Sequence, residues 1–312
     1  MTPTAIHVRD LRKHYGVKHA VDGLDLTVER GEIFAVLGPN GAGKTTTIEI
    51  LEGFRHRDSG EVLVLGEDPQ RAGRSWRNRI GIVLQTATDQ AELTVSELMH
   101  HFTKYYPDPR DPDQLMAAVG LTEKAGTRTR QLSGGQRRRL DVALGILGRP
   151  ELLFLDEPTT GFDPEARRSF WDLIEGLRDD GTTVLLTTHY MDEAERLADR
   201  CAVVCDGRMV ALDAPAALGD RAARRAVVRW IEDDVVREHA TPTPTAAVLA
   251  LAARLGTTEI PALQVLQPSL EDVYLSLIGE RDLALLDDVN DLATNDLATN
   301  DLTDHPVKEA VR

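Results

Sequence analysis

Cysteine is nearly missing from this sequence, with two among 312 residues. Cys201 and Cys205 lie four residues apart in an apolar run that reads as one strand. A strand separates such positions by about 13 Å, too far for a disulfide. Two cysteines also cannot build a zinc module. Both therefore read as reduced core residues, as in a cytosolic protein. Positive charge is short as well: 36 Lys and Arg face 51 Asp and Glu, a net charge of −15. That balance argues against general nucleic-acid binding, which needs a basic face. Lysine is scarcest, six against thirty arginines, which reads as a GC-rich coding bias and carries no mechanistic signal.

Long apolar runs are absent too. No signal-peptide pattern opens the chain, and no uncharged stretch approaches the roughly 18–20 apolar residues of a membrane span. The best candidate, 241–253, is short and holds two prolines. Any membrane role is thus expected to be peripheral. The remaining composition is that of an ordinary globular chain, 42% hydrophobic and 28% charged. Its length suits one large domain with a smaller appendage. Acid gathers partly at the end, where nine Asp and Glu face three Lys and Arg from Glu280 onward.

Residues 1 to about 218 alternate short apolar runs with amphipathic helical stretches, the rhythm of an α/β domain. Four runs stand out: "EIFAVLG" (32–38), "IGIVLQ" (80–85), "ELLFLD" (151–156) and "TTVLLTTH" (182–189). Each is almost continuously apolar, as central strands buried on both faces are. Each ends on a polar or glycine-rich point: the Gly38 loop, Gln85, Asp156 with Glu157, and His189. Ligands of open α/β sheets bind at the carboxyl ends of the strands, so the four termini converge on one candidate site. Between about 86 and 149 the pattern turns helical, which predicts a helical subdomain inserted into the sheet. Residues 219–280 read as a small mixed unit with a strand at "RRAVVRWIE", a helix at "TAAVLALAARLG" and a closing helix at "SLEDVYLSLIG". The tail, 281–312, holds "NDLATNDLATNDLTD". Its leucines recur every five positions, which fits neither a helix face nor a strand face, and disorder is expected.

"GPNGAGKT" fits the phosphate-binding pattern G-x-x-x-x-G-K-[ST], and it stands between an apolar strand and a helix, as that pattern requires. Gly38, Pro39, Asn40, Gly41, Ala42 and Gly43 would turn successive N–H groups inward, and the helix N-terminus adds its positive dipole end. Lys44 would reach the β- and γ-phosphates of ATP. The hydroxyl of Thr45, followed by Thr46, would ligate Mg2+. Asp156 would hold the same Mg2+ directly or through water, and Glu157 would polarise an attacking water. His189 is placed to touch a γ-phosphate. Gln85 could touch either the metal or the water. Tyr15, in "LRKHYG", could stack on adenine.

A second glycine-rich helix start lies at "LSGGQ". Ser133, Gly134, Gly135 and Gln136 open a helix whose Leu140, Ala143, Leu144 and Leu147 mark a buried face. The loop therefore offers N–H groups and a hydroxyl to another anion. Three arginines in the first turn oppose the helix dipole, so neighbouring anions are expected to offset them.

The order Tyr15, "GPNGAGKTT", Gln85, "LSGGQ", "LLFLDEP", "GFDP", His189 resembles the ATP-binding-cassette ATPases across residues 5 to about 215. Within them, "GGQRRRLDVALGILGRPELLFLDEPTTGFDPEARR" and "PSLEDVYLSLIG" resemble the daunorubicin-resistance type, the ATPase halves of ABC-2 exporters. The resemblance implies an α/β P-loop NTPase fold with a helical subdomain, plus the small C-terminal unit. It also implies that the signature loop of one copy closes over the ATP held by another, so Ser133, Gly135 and Asp163 would act in trans in a head-to-tail dimer. Intact motifs favour two identical copies. A separate transmembrane permease would be the second partner, with the chain at the cytoplasmic face of a bacterial membrane and no nucleic acid involved. One departure is Phe162, where the family usually has Leu. A soluble cassette ATPase serving ribosomes or DNA is the alternative reading. Ribosomal types carry two cassettes on one chain, and chromosomal types separate the P-loop from the signature by a long coiled coil.

Overall fold

The computed structural model describes residues 3–83, 92–219 and 225–279. Gln85 and the tail at 281–312 lie outside the described residues.

Two long strands open the chain, β1 (Thr4–Tyr15) and β2 (Lys18–Glu29), followed by β3 (Ile33–Leu37), α1 (Lys44–Leu51) and β4 (Ser59–Val64). Next come the short α2 (Arg74–Arg77) and β5 (Ile80–Val83). A helical stretch follows, with α3 (Val95–Thr103), α4 (Pro112–Ala118) and α5 (Gly134–Ile146). Strand and helix then alternate through β6 (Leu152–Asp156), α6 (Pro164–Asp179), β7 (Thr183–Thr187), α7 (Met191–Leu197), β8 (Arg200–Cys205) and β9 (Arg208–Asp213). The last part holds β10 (Ala226–Glu232), β11 (Val235–Thr241), α8 (Pro244–Leu255), β12 (Gln264–Leu266) and a helix over 270–279.

The main sheet runs β5-β6-β7-β3-β8-β9, parallel except for β9. The four apolar runs of the sequence are four of its six strands, β3, β5, β6 and β7. Because successive side chains alternate sides, each strand feeds two cores. Ile33, Ala35 and Leu37 of β3, with Leu153 and Leu155 of β6, face α3 to α7. Phe34 and Val36, with Leu152 and Phe154, face the opposite side. There the antiparallel sheet β2-β1-β4, α1 and Trp76 cover them. Full burial of each Leu or Phe contributes about 1.5–3 kcal/mol, which explains why β3 and β6 carry no polar residue before their last position. Cys201 and Cys205 lie on β8, buried and unpaired with each other, and burial pushes the Cys201 thiol up to about 12.

The first sheet departs from the strand–helix rhythm expected of the N-terminal segment. Its strands are 12 residues each, and the pairing of β1 with β2 slips between Val8 and Leu11, where Asp10 takes a positive φ of 46°. A bulge breaks the two-residue alternation by which a strand is read.

In the last part, β11-β10-β12 form a three-stranded sheet with α8 against Val228 and Trp230. The helix over 270–279 packs elsewhere: Leu270 joins the core around α6 and α7 and is fully buried. Its start is tied to α7, since Leu270 N donates to Glu195 Oε1 at 3.2 Å. Among the described residues no helix is long and apolar enough to cross a membrane.

Candidate functional site

The carboxyl ends of β3, β6 and β7 open on a cavity of about 540 Å³. It is lined by Tyr15, Asn40, Gly41, Gly43, Lys44, Thr45, Thr46, Asp156, Glu157 and His189, together with Lys18 and Ala20. Ten residues predicted from separate stretches thus share one wall.

The loop between β3 and α1 is shaped by close backbone packing. Gly43 has φ 102°, and a Cβ there would lie 2.2 Å from the Ala20 carbonyl oxygen. Gly38 is as tight, with a Cβ position 2.2 Å from the Val204 carbonyl oxygen. Only glycine permits both approaches. Ala42 is buried beneath the loop. Lys44 opens α1 and folds back over the loop, donating to the carbonyls of Gly38 at 2.7 Å and Pro39 at 3.1 Å. Burial lowers its pKa, and the carboxylates of Glu157 and Asp156 act the other way. A buried ammonium on a glycine-rich loop at the start of a helix, in one cavity with two carboxylates, suits a metal-chelated polyphosphate.

Asp156 ends β6 and accepts from the Thr187 hydroxyl of β7 at 2.5 Å through Oδ1. Its Oδ2 accepts no hydrogen bond among the described residues. Asp156 and Thr45 line the same cavity and offer oxygen ligands, the donor set that Mg2+ takes. The residues present therefore fit that ion. Glu157 follows with a left-handed φ of 47°, unusual for a non-glycine residue. Two bonds fix it there: its N–H reaches the Thr187 carbonyl and the Thr187 hydroxyl, each at 3.1 Å. The turn swings Glu157 out of the strand direction and toward β7, where its Oε2 lies 3.4 Å from His189 Nδ1.

The signature residues lie elsewhere. Ser133 caps α5 and forms a reciprocal pair with Gln136: Gln136 N donates to Ser133 Oγ at 3.3 Å, and Ser133 N donates to Gln136 Oε1 at 3.1 Å. Ser133 and Gly134 are exposed. Asp163 is exposed and caps α6, accepting from Ala166 N at 2.8 Å. Ser133, Gly134, Gly135, Gln136 and Asp163 do not line the cavity. Phe162 is buried in its own core, edge-on to Phe170 with ring centroids 5.8 Å apart. Of the three arginines of α5, one pairs with a carboxylate and two reach main-chain carbonyls. Arg137 pairs with Asp141 at 3.4 Å. Arg138 is buried and donates to the carbonyls of Asp156 and Pro158. Arg139 reaches the Val119 and Gly120 carbonyls at 3.4 Å.

Sequence reading passed over several residues in and around this site. Thr187 positions both carboxylates, yet it reads as one more strand threonine. Glu193 is fully buried, with Trp171 Nε1 at 3.4 Å from its Oε1, and burial pushes its carboxyl up. Lys18 gave no motif, although it follows Tyr15 by three residues.

This geometry is that of a P-loop nucleotide site in a cassette ATPase, and comparison with known proteins agrees. The ABC transporter family matches residues 21–160. The Nod factor export ATP-binding protein I of Ralstonia nicotianae is 39% identical over 302 residues, covering 88% of this chain and 94% of that one. The daunorubicin resistance ATP-binding protein DrrA2 of Streptomyces coeruleorubidus is 37% identical over 308 residues, covering 89% and 96%. Among solved structures, an ATP-binding subunit of an ABC transporter aligns with TM-score 0.66 at 21% identity, covering 88% of this chain and 99% of that one. A dimeric cassette in a post-hydrolysis state, bound to ADP and Pi, aligns with TM-score 0.61 at 22% identity, covering 67% and 98%. The chain belongs to the ABC transporter family as an ATP-binding subunit, and it is an ATPase.

Proposed function

We propose that the chain is the ATP-hydrolysing subunit of an ABC-2-type exporter, working as a head-to-tail dimer on the cytoplasmic face of a bacterial membrane. One observation carries the dimer: Asn40, Gly41 and Gly43 to Thr46 line one cavity with two carboxylates, while the capped, exposed N-terminus of α5 and Asp163 do not line it. A second copy would bring Ser133, Gly135 and Asp163 over the first copy's ATP. Export is supported by relatives named for Nod factor export and daunorubicin resistance, with a drug, antibiotic or lipid-like cargo carried by a separate transmembrane permease.

The chain's own residues divide the chemistry. Tyr15 would stack on adenine. The N–H groups of the Gly38–Thr46 loop would hold the phosphates, with Lys44 leaving the Gly38 and Pro39 carbonyls for the β- and γ-oxygens. Glu157 would orient and polarise the attacking water, and His189, 3.4 Å from it, would meet the γ-phosphate. Thr45 and Asp156, with Gln85, would hold Mg2+, which supplies charge neutralisation at the phosphate oxygens. Positioning and fixed dipoles would thus supply most of the catalysis. Closure on ATP and release after hydrolysis would pass motion to the permease.

Affinity capture of the tagged chain from gently solubilised native membranes, followed by mass spectrometry, tests the reading. A multi-span membrane protein in near-equal amount is expected. Ribosomal or DNA-associated proteins without a membrane partner would overturn it and favour a soluble cassette ATPase.

A further inference from the structure

Lys18 begins β2 directly opposite Tyr15, across the two-residue turn Gly16–Val17. It is exposed and lines the cavity. Its Nζ lies 3.8 Å from the position a Cβ on Gly41 would take, so the ammonium hangs over the phosphate loop. Other cations nearby are engaged. Lys13 donates to Asp58 at 2.6 Å, Arg55 to Glu49 at 2.5 Å, and Lys44 to the loop carbonyls. Lys18 has no hydrogen bond or ion pair among the described residues.

The charge of the cavity gives this lysine a use. Asp156 and Glu157 outnumber Lys44, and Lys18 balances this negative charge before a nucleotide arrives. A nucleoside triphosphate adds more, and a cation beside the loop offsets part of it. A flexible four-carbon stem ending in a compact ammonium suits a moving polyphosphate.

We infer that Lys18 is a further nucleotide-binding residue, contacting the polyphosphate chain and favouring triphosphate over monophosphate. With Tyr15 it makes the end of the β1–β2 hairpin a two-point clamp, the aromatic ring on the base and the ammonium on the phosphates. This rests on reading the cavity as the ATP site.

The test is competition of ATP, ADP and AMP against a fluorescent ATP on the full chain, comparing wild type with Lys18→Ala, Lys18→Arg and Lys44→Ala at low and high salt. Lys18→Ala should weaken ATP about three- to tenfold, ADP less, and AMP hardly at all. Its salt dependence should be shallower, and Lys18→Arg should stay within about twofold of wild type. Equal ATP affinity in Lys18→Ala and wild type, with binding lost in Lys44→Ala, would overturn the role of Lys18 and leave the ATP site standing. Equal weakening of ATP and AMP, or Lys18→Arg as weak as Lys18→Ala, would also overturn it. A wild-type chain that binds no ATP, or a Lys44→Ala chain that binds as well, would overturn the site reading and this inference together.

Discussion

Arg138 donates to the main-chain carbonyl of Asp156, and through Nε to that of Pro158 at 3.1 Å. The helix that opens with the signature serine is thereby tied directly to the strand end that carries Asp156 and Glu157.

Removing that side chain takes a donor from the carbonyls of Asp156 and Pro158, the second of them buried, at a cost of about 1–3 kcal/mol. Arg138→Ala should lower the urea midpoint accordingly and reduce ATP turnover. Arg138→Lys, with one ammonium for two carbonyls, should fall between. Unchanged midpoint and turnover in Arg138→Ala would show that the tie carries no load.

Gly43→Ala meets two obstacles, a φ of 102° and a Cβ 2.2 Å from the Ala20 carbonyl oxygen. The left-handed backbone alone costs more than about 1 kcal/mol for alanine, and the contact forces the loop or β2 to shift. Loss of ATP binding in equilibrium dialysis is the expected outcome, with a lower melting temperature.

Glu151 receives Arg79 at 2.6 Å and Arg30 at 2.7 Å, which hold its carboxyl at about 2 instead of 4.5. A depressed folded pKa adds stability that is full above about pH 4.5 and fades as pH falls toward 2. The group is 40% exposed, so solvent screens much of this. Acid titration of melting temperature should therefore fall less steeply over that window in Glu151→Gln than in wild type, starting from a slightly lower value at pH 7.

Glu193 has the opposite sign. Burial raises its pKa, so the folded state holds the proton more tightly and stability declines as pH rises from the ordinary carboxylate range to the raised value. Glu193→Gln removes that slope. Its melting temperature relative to wild type should rise as pH goes up from the ordinary carboxylate range, and parallel curves would place the proton elsewhere.

The sequence was most legible where physics leaves few options. Strands β3, β6 and β7 are almost continuously apolar because both faces are covered, and polar residues at and beyond their carboxyl ends line the site. The phosphate loop and the signature are short strings with a mechanism attached to each position. The β1–β2 hairpin was less legible, because the slip near Asp10 hides its alternation. Lys18, Thr187 and Arg138 were missed because their roles depend on partners distant in sequence or on backbone carbonyls, which no spacing announces. The inward packing of Phe162 against Phe170 was hidden for the same reason.

Under the proposed function, ATP closes two copies on each other and hydrolysis assisted by Glu157 opens them. Light scattering of Glu157→Gln with excess Mg-ATP measures that closure. A mass of two chains with ATP, one chain without it, and hydrolysis at least about a hundredfold slower than wild type are expected. A variant that binds ATP yet keeps the mass of one chain would contradict it.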